Sequence, residues 1–564
     1  MTTRWRSTSS LSSCRSPAHP IQYKKGALIR DSPDPCYTSS LSSLALYKDP
    51  LHLNKKKPSH LQMETSLLAL LSTTLLVTLY FFFHHLRRQK SPKLPPGPPP
   101  LPIIGNLHQL GSLPHRRLHS LAKSYGPIMF LRLGNKPTVV VSSPEAAELV
   151  LGTHDSIFSS RPSVDALRHL SYGNKGMAFA ESGAYWRGMR RLCTLQLLSS
   201  AKVESFAPIR REELGRVVRR VRAAAAARDA VDVSAEVGQL IGDLACRMIL
   251  GCSTRDKFNL KPVIHEALKL AGSFNLADYV PLLGALDLQG MTRRAKAVNR
   301  AIDKIFEDII REHKEDTTGK YKGDFIDILL TGMDHPINSS SRDEPVHIMG
   351  RTNIKAITLD MIAASYESSS TAIEWALSEL IRNPRVMKCL QQELEAVVGS
   401  GRTVEESDLP KLKYLEMVVK ESFRLYPPGP LLIPHESTEG VEIGGYYIPK
   451  RTRVIVNAWA LGRDAKAWAE NAEEFLPERF ENSSVDVRGR DFQLIPFGSG
   501  RRGCPGMNMG LVNVRLVLAQ LVHCFDWELP QGTSPSELDM SEDFGLSMPR
   551  AKHLILRPSY RLLV

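Results

Sequence analysis

Pro496-Phe497-Gly498-Ser499-Gly500-Arg501-Arg502-Gly503-Cys504-Pro505-Gly506 is the stretch that decides how this 564-residue chain is read. Its glycines let the backbone turn sharply, and Pro505 removes an amide donor and fixes the exit from the loop. Leu511, Val514, Leu516, Leu518 and Leu521 then predict a helix from Met507 to His523. Cys504 therefore precedes a helix N-terminus, where outward-pointing amides and the dipole favour a thiolate. Arg501 and Arg502 are expected to add positive charge beside it. Such a loop suits a metal thiolate. Taken alone, a cysteine in a Gly-rich turn reads more readily as a structural residue.

With 42% hydrophobic and 23% charged residues, the composition is that of a globular chain with a large core. The first 62 residues hold ten Lys or Arg and three Asp, which leaves +7 of the net +14 to the remainder. No nucleic-acid motif accompanies that charge. A moderately basic domain meets an acidic membrane surface or an acidic protein instead. The eight cysteines (14, 36, 193, 246, 252, 389, 504 and 524) show no C-x-x-C spacing and no paired framework, which fits a reducing compartment.

Residues 1–62 are rich in Ser, Pro, Lys and Arg and read as disordered. The first thirty carry Arg4, Arg6, Arg15, Lys24, Lys25 and Arg30 and no acid. That is either a transit peptide or sequence upstream of a true start at Met63. Residues 63–93 read as a membrane anchor. Leu67 to Phe83 is free of charge, and Thr65 to Leu86 would span about 33 Å as a helix. Arg87, Arg88, Lys90 and Lys93 place the following chain in the cytoplasm. Residues 94–102, Leu-Pro-Pro-Gly-Pro-Pro-Pro-Leu-Pro, form a stiff hinge.

Residues 103–564 remain as one domain. Ile103 to Val150 reads as β-rich, with strands at Ile128–Leu133 and Thr138–Ser142 around Gly134-Asn135 and a helix opening at Pro144. Phe158 to Ala184 lacks periodicity and reads as a loop. Trp186 and Arg190, four apart, share a helix face. Ile354 to Asn383 is a long helix ending before Pro384. Leu412 to Leu425 is another, with Glu421 and Arg424 three apart.

The whole pattern Phe497-x-x-Gly500-x-Arg502-x-Cys504-x-Gly506 resembles the haem-binding signature of the cytochrome P450 family. The proline hinge resembles that of microsomal members and Glu421-x-x-Arg424 is similar to the family's ion pair, while the anchor, Gly444 to Pro449 and Pro477-Glu478-Arg479-Phe480 resemble its plant A-type branch; the resemblance runs from Met63 to the C-terminus. The resemblance implies a mainly α fold with a small β region behind an N-terminal transmembrane helix. It implies haem b (iron protoporphyrin IX) with Cys504 as the iron ligand. Trp186, Arg190 and His435 would hold the haem propionates. Glu421, Arg424 and Arg479 would form a buried structural network. Ala364, Leu431, Leu432, Ile433, Leu546 and Ser547 would face a small hydrophobic substrate. In the oxygen-activating helix the usual Asp-Thr pair is replaced by Glu367-Ser368, which keeps a carboxylate and a hydroxyl for proton relay.

The implied activity is oxygenation of a plant metabolite (terpenoid, phenolic or alkaloid) with O2 and NADPH. Electrons would come from NADPH–cytochrome P450 reductase, docking on the cysteine side near Arg501 and Arg502. The implied location is the endoplasmic reticulum membrane with a cytosolic catalytic domain, or the plastid if residues 1–62 are a transit peptide. A haem-thiolate isomerase or dehydratase that uses no O2, or a non-catalytic haem protein, is the alternative. A need for NADPH and reductase separates them.

Overall fold

The computed structural model describes residues 93–563 apart from 252–259, 281–283, 285, 320–322, 338–345 and 531, together with Leu71, Ser72, Thr74, Leu75 and Thr78. The expected extension (1–62) and nearly all of the expected anchor (63–93) lie outside the described residues. Among the described residues no helix is long and apolar enough to cross a membrane. Residues Lys90–Val564 form one compact unit, which contains the fold.

Pro114 at the first helical position and the buried Leu118 and Leu121 make α1 (Pro114–Tyr125), so the expected β-rich region opens with a helix. Strands β1 (Ile128–Leu133) and β2 (Lys136–Val141) pair antiparallel, turning at Gly134 with φ +58°. Next come α2 (Asp165–Leu170) and α3 (Ala184–Leu192). The first corrects the loop expected from Phe158 to Ala184: Ala166, Leu167 and Leu170 give it a short apolar face that is buried. Long helices follow, among them α4 (Val233–Leu250), α5 (Leu260–Gly272), α6 (Arg351–Arg382) and α7 (Lys413–Leu425).

β3 (His435–Glu436) and β4 (Arg453–Val456) complete the main sheet in the order β1-β2-β4-β3, with β2 and β4 parallel. Last come α8 (Met507–Cys524), β5 (Phe525–Glu528) and β6 (Ile555–Tyr560), the two strands pairing antiparallel. Helix α6 is the axis of the core. Its C-terminal half buries residues on every side, including Trp375, Leu377 and Leu380, and it packs on α4, α7 and α8. A helix apolar all round belongs in the interior.

One polar clamp fixes the C-terminal turn onto α1. Arg116 donates to Glu542 through Nε (2.7 Å) and Nη2 (3.0 Å), and His115 Nε2 lies 3.0 Å from the same carboxylate. Burial alone would raise the Glu542 pKa. The His115 and Arg116 contacts outweigh it and hold the carboxyl at about 2, against an ordinary 4.5. A folded-state pKa below the unfolded one contributes stability that is complete above pH 4.5 and is lost as pH falls through about 2. Glu542→Gln should therefore lower stability at neutral pH and flatten its decline across that acid window. Urea unfolding midpoints measured from pH 6 downward check this.

Candidate functional site

The cysteine loop closes on itself. Gly498 and Gly500 sit at φ +68° and +65°, and a Cβ on Gly500 would stand 2.4 Å from the Leu151 carbonyl oxygen. The Cys504 amide donates to the Phe497 carbonyl at 2.8 Å, and the Phe497 ring meets Phe423 edge-on. Cys504 is solvent-accessible, yet enough protein surrounds it for burial to raise its thiol pKa. Both hold if the sulfur faces an interior recess rather than bulk water. The Gly506 amide and the Arg190 charge pull the other way and do not prevail.

Burial thus opposes the dipole and neighbouring charge expected to favour a thiolate, and the charge that acts on the sulfur comes from Arg190 rather than from Arg501 and Arg502. Arg501 is ion-paired with Asp155 at 3.3 Å. Arg502 turns inward, donating to Ser159 and Ala180 carbonyls at 2.6 Å and stacking 3.8 Å over the Trp186 ring. Being buried, Arg502 has no surface to offer a docking partner.

A set of cations gathers beside the loop. Helix α3 brings Trp186 and Arg190; Arg190 donates to the Gly503 carbonyl at 2.6 Å. Arg161, which the sequence reading missed, is buried and donates to the carbonyls of Ile433, Pro434 and Ala178. His435 Nδ1–H donates to the Phe158 carbonyl at 2.7 Å; burial and then Arg161 push its pKa down to about 3. Burial, then neighbouring arginines, lowers Arg161, and Arg502 falls to about 9 by burial and Arg190. Among the described residues none of Arg161, Arg190 and Arg502 has a carboxylate within ion-pair distance; Asp155, which lies in electrostatic reach of Arg190 and Arg502, is held by Arg501. Among the described residues, Trp186 Nε1 is buried without a hydrogen-bond acceptor.

Unpaired cations and an orphaned donor in the interior are costly. Their arrangement calls for an anion with more than one acidic group, next to a sulfur ligand. Haem, with two propionates and an iron, fits those residues. His435 as a neutral ring has spent its one proton on Phe158, so it could donate a second hydrogen bond only by becoming imidazolium beside such an anion.

On α6, Asp360, Ala364, Glu367 and Ser368 follow at helical spacing. Ser368 donates its hydroxyl proton to the Ala364 carbonyl at 2.7 Å, and Ser365 and Ser370 also bond back to their own helix. Glu367 does not bond to Ser368. His265 Nδ1, on α5, lies 3.3 Å from its Oε1, and burial raises its pKa although His265 and the Ser547 hydroxyl lower it. His265 carried no motif by which the sequence could have singled it out.

Glu421, Arg424 and Arg479 come together, wholly or nearly buried: Arg424 donates to both Glu421 oxygens at 2.7 and 2.8 Å, and Arg479 Nε to one of them at 2.8 Å. Leu431, Leu432, Ile433 and Leu546 share the wall of one cavity with Phe179, Phe274 and Phe544. Leu432 holds φ +51°, a conformation unfavourable to a side chain of its size and one that marks binding sites. Ala364 and Ser547 are not on that wall.

A cytochrome P450 family profile matches residues 95–556. Cytochrome P450 CYP736A12 of Panax ginseng is 58% identical over 83% of this chain and 94% of its own length. Desmethyl-deoxy-podophyllotoxin synthase of Sinopodophyllum hexandrum and premnaspirodiene oxygenase of Hyoscyamus muticus are each 43% identical over 83% of this chain and 92% of theirs. A solved zebrafish cytochrome P450 with progesterone superposes with a TM-score of 0.67 at 26% identity, covering 79% of this chain and 99% of that one.

Proposed function

The chain belongs to the cytochrome P450 family, in its plant A-type branch, and is a monooxygenase of that family; from this premise we propose that it oxidises a small hydrophobic plant secondary metabolite with O2 and electrons passed from NADPH by NADPH–cytochrome P450 reductase. The observation that supports it most is the buried cation set Arg161, Arg190 and Arg502 beside Cys504. The relatives named for desmethyl-deoxy-podophyllotoxin and premnaspirodiene point to a metabolite of that kind.

When bound, haem supplies the activation of O2, with thiolate ligation favouring O–O cleavage. Cys504 would give its sulfur to the iron. Arg161, Arg190, Arg502, Trp186 Nε1 and His435 would neutralise and orient the propionates. The apolar wall of Leu431, Leu432, Ile433 and Leu546 would bind the substrate and exclude water. Each turnover consumes two protons, and Glu367 and Ser368 would deliver them. The Glu367 carboxyl, raised by burial, can hold a proton nearer to neutral pH than a solvated glutamate. To pass a proton on, the Ser368 hydroxyl would accept from Glu367 or water and turn its own O–H away from the Ala364 carbonyl, to which it donates here.

Residues 63–93 would anchor the chain in the endoplasmic reticulum membrane by a single pass, with the catalytic domain cytosolic. A plastid location follows instead if residues 1–62 are a transit peptide.

The test is a reconstituted system with reductase in which product, hydrogen peroxide and NADPH are measured together. Ser368→Ala should keep NADPH consumption but divert it to peroxide. Glu367→Gln should slow NADPH oxidation by about 10²-fold, the lower end for a lost proton relay. Both variants matching the parent would remove the pair from the relay. Turnover without NADPH or reductase would overturn the monooxygenase assignment in favour of an isomerase or dehydratase.

A further inference from the structure

Asp360 is a carboxylate that the reaction scheme above does not use. It stands one helical turn before Ala364 on α6, a lone acid in the run Ile354-Lys355-Ala356-Ile357-Thr358-Leu359-Asp360-Met361-Ile362. Like Cys504, it is partly accessible yet so enclosed that burial pushes its carboxyl up, to about 6. Its Oδ2 accepts the backbone amides of Met177 (2.6 Å) and Ala178 (2.9 Å). The loop is drawn in so closely that a Cβ on Gly176 would lie 2.2 Å from that oxygen.

The other side of the same loop faces the cations. The Met177 carbonyl accepts from Arg502 Nη1 (3.5 Å), the Ala178 carbonyl from Arg161 Nε (3.3 Å) and the Ala180 carbonyl from Arg502 Nη2 (2.6 Å). The Met177 carbonyl and the Ala178 amide belong to one peptide unit. A single planar group therefore joins Asp360 to Arg502. Negative charge at its N–H end polarises its oxygen and strengthens the bond the guanidinium makes there.

We propose that Asp360 is a positioning residue for the prosthetic group. It acts through residues 176–180 to set where Arg161 and Arg502 point, and so ties the anion cradle to the helix that carries Glu367 and Ser368. The proposal rests on the reading that Arg161, Arg190 and Arg502 hold the haem propionates. Without Asp360, two amides lose their acceptor and the peptide that links them to Arg502 is free to turn. The guanidiniums then meet the propionates in a looser and more varied geometry.

The test uses the full, haem-loaded chain, with two readouts that need no turnover: the rate of haem transfer to excess apomyoglobin, and the resonance Raman bending bands of the propionates. Asp360→Leu should speed haem release about tenfold or more, as expected for loss of hydrogen bonds to a charged group, and should shift the propionate bands. Asp360→Asn should recover most of both, because the carboxamide oxygen can accept the same two amides. Gly176→Ala, which forces the loop and the Asp360 carboxylate apart without removing the acid, should reproduce the band shift and covers the case in which Asp360→Leu does not fold.

Ile309→Ala, a buried-core change on the helix Met291–Glu315, should lower the melting temperature and leave the bands unmoved. Bands unchanged in Asp360→Leu and Gly176→Ala, with haem release no faster than in Ile309→Ala, overturn the proposal. Arg161→Met separates its premise. Bands that ignore Arg161→Met as well overturn the cradle itself.

Discussion

Replacing Cys504 by alanine is expected to abolish the red-shifted Soret band of the reduced carbon monoxide complex. That band reports a thiolate on the iron, and alanine offers no donor. The substitution is small enough to keep the loop, because the bond from residue 504 to the Phe497 carbonyl is made by the backbone. Haem content should fall, and the melting temperature with it, because the buried cations beside the loop then lack their anion. Among the described residues, Cys193 is buried, with burial raising its thiol pKa well above the usual range, and Cys524 is buried at the far end of α8, its pKa pushed up to about 12, so neither is suited to take over.

The raised pKa of Cys504 adds a pH dependence with a definite sign. Iron binds the deprotonated sulfur, so loading releases a proton. Haem uptake by the apoprotein should therefore tighten as pH rises from 6 to 8, and Cys504→Ala should lose that dependence. An unaltered band in the variant would remove Cys504 as the ligand. A normal pH dependence without the band would mean that some other group titrates.

The sequence made Cys504, the Glu421-x-x-Arg424 pair, the Trp186 helix and the strands β1 and β2 legible because each is carried by spacing within a few residues. Helix ends were legible for the same reason: Pro384 ends α6 within one residue of expectation. What stayed hidden was whatever depends on contacts far along the chain. Arg161 reads as an ordinary loop cation until its carbonyl partners at Ile433 and Pro434 are folded against it. Helix α2, at six residues, is too short to show a period.

The burial that opposes a thiolate at Cys504 was hidden for a different reason. Dipole and neighbouring charge can be read from sequence, but the burial that opposes them cannot. Arg501 and Arg502 look alike on paper. The fold sends one to a surface ion pair and the other into the interior.

Glu421→Ala should leave little haem-loaded protein. Glu421 is fully buried and takes four hydrogen bonds: two from Arg424, one from Arg479 and one from the Leu476 amide. Removing it strands the charges of Arg424 and Arg479, a loss of about 3–5 kcal/mol for a broken buried pair. That is a large part of the stability of an ordinary domain.

Arg424 should be less replaceable still. A guanidinium has five donor hydrogens. Here two go to Glu421 and the others to the carbonyls of Gly462, Ala472 and Glu474. The fit is close enough that a Cβ on Gly462 would stand 2.0 Å from the Arg424 carbonyl oxygen. Arg424→Lys keeps the charge but has three donors and no fork, so it should fail almost as badly as Arg424→Ala. Glu421→Gln keeps the shape and should be the mildest of the four. Haem occupancy and urea midpoints measured together would give the order Glu421→Gln, Glu421→Ala, Arg424→Lys, Arg424→Ala, from least to most damaging. If Arg424→Lys instead behaves like the parent, charge alone suffices at that position. The three carbonyl bonds would then not be what joins α7 to the segment from Gly462 to Arg479.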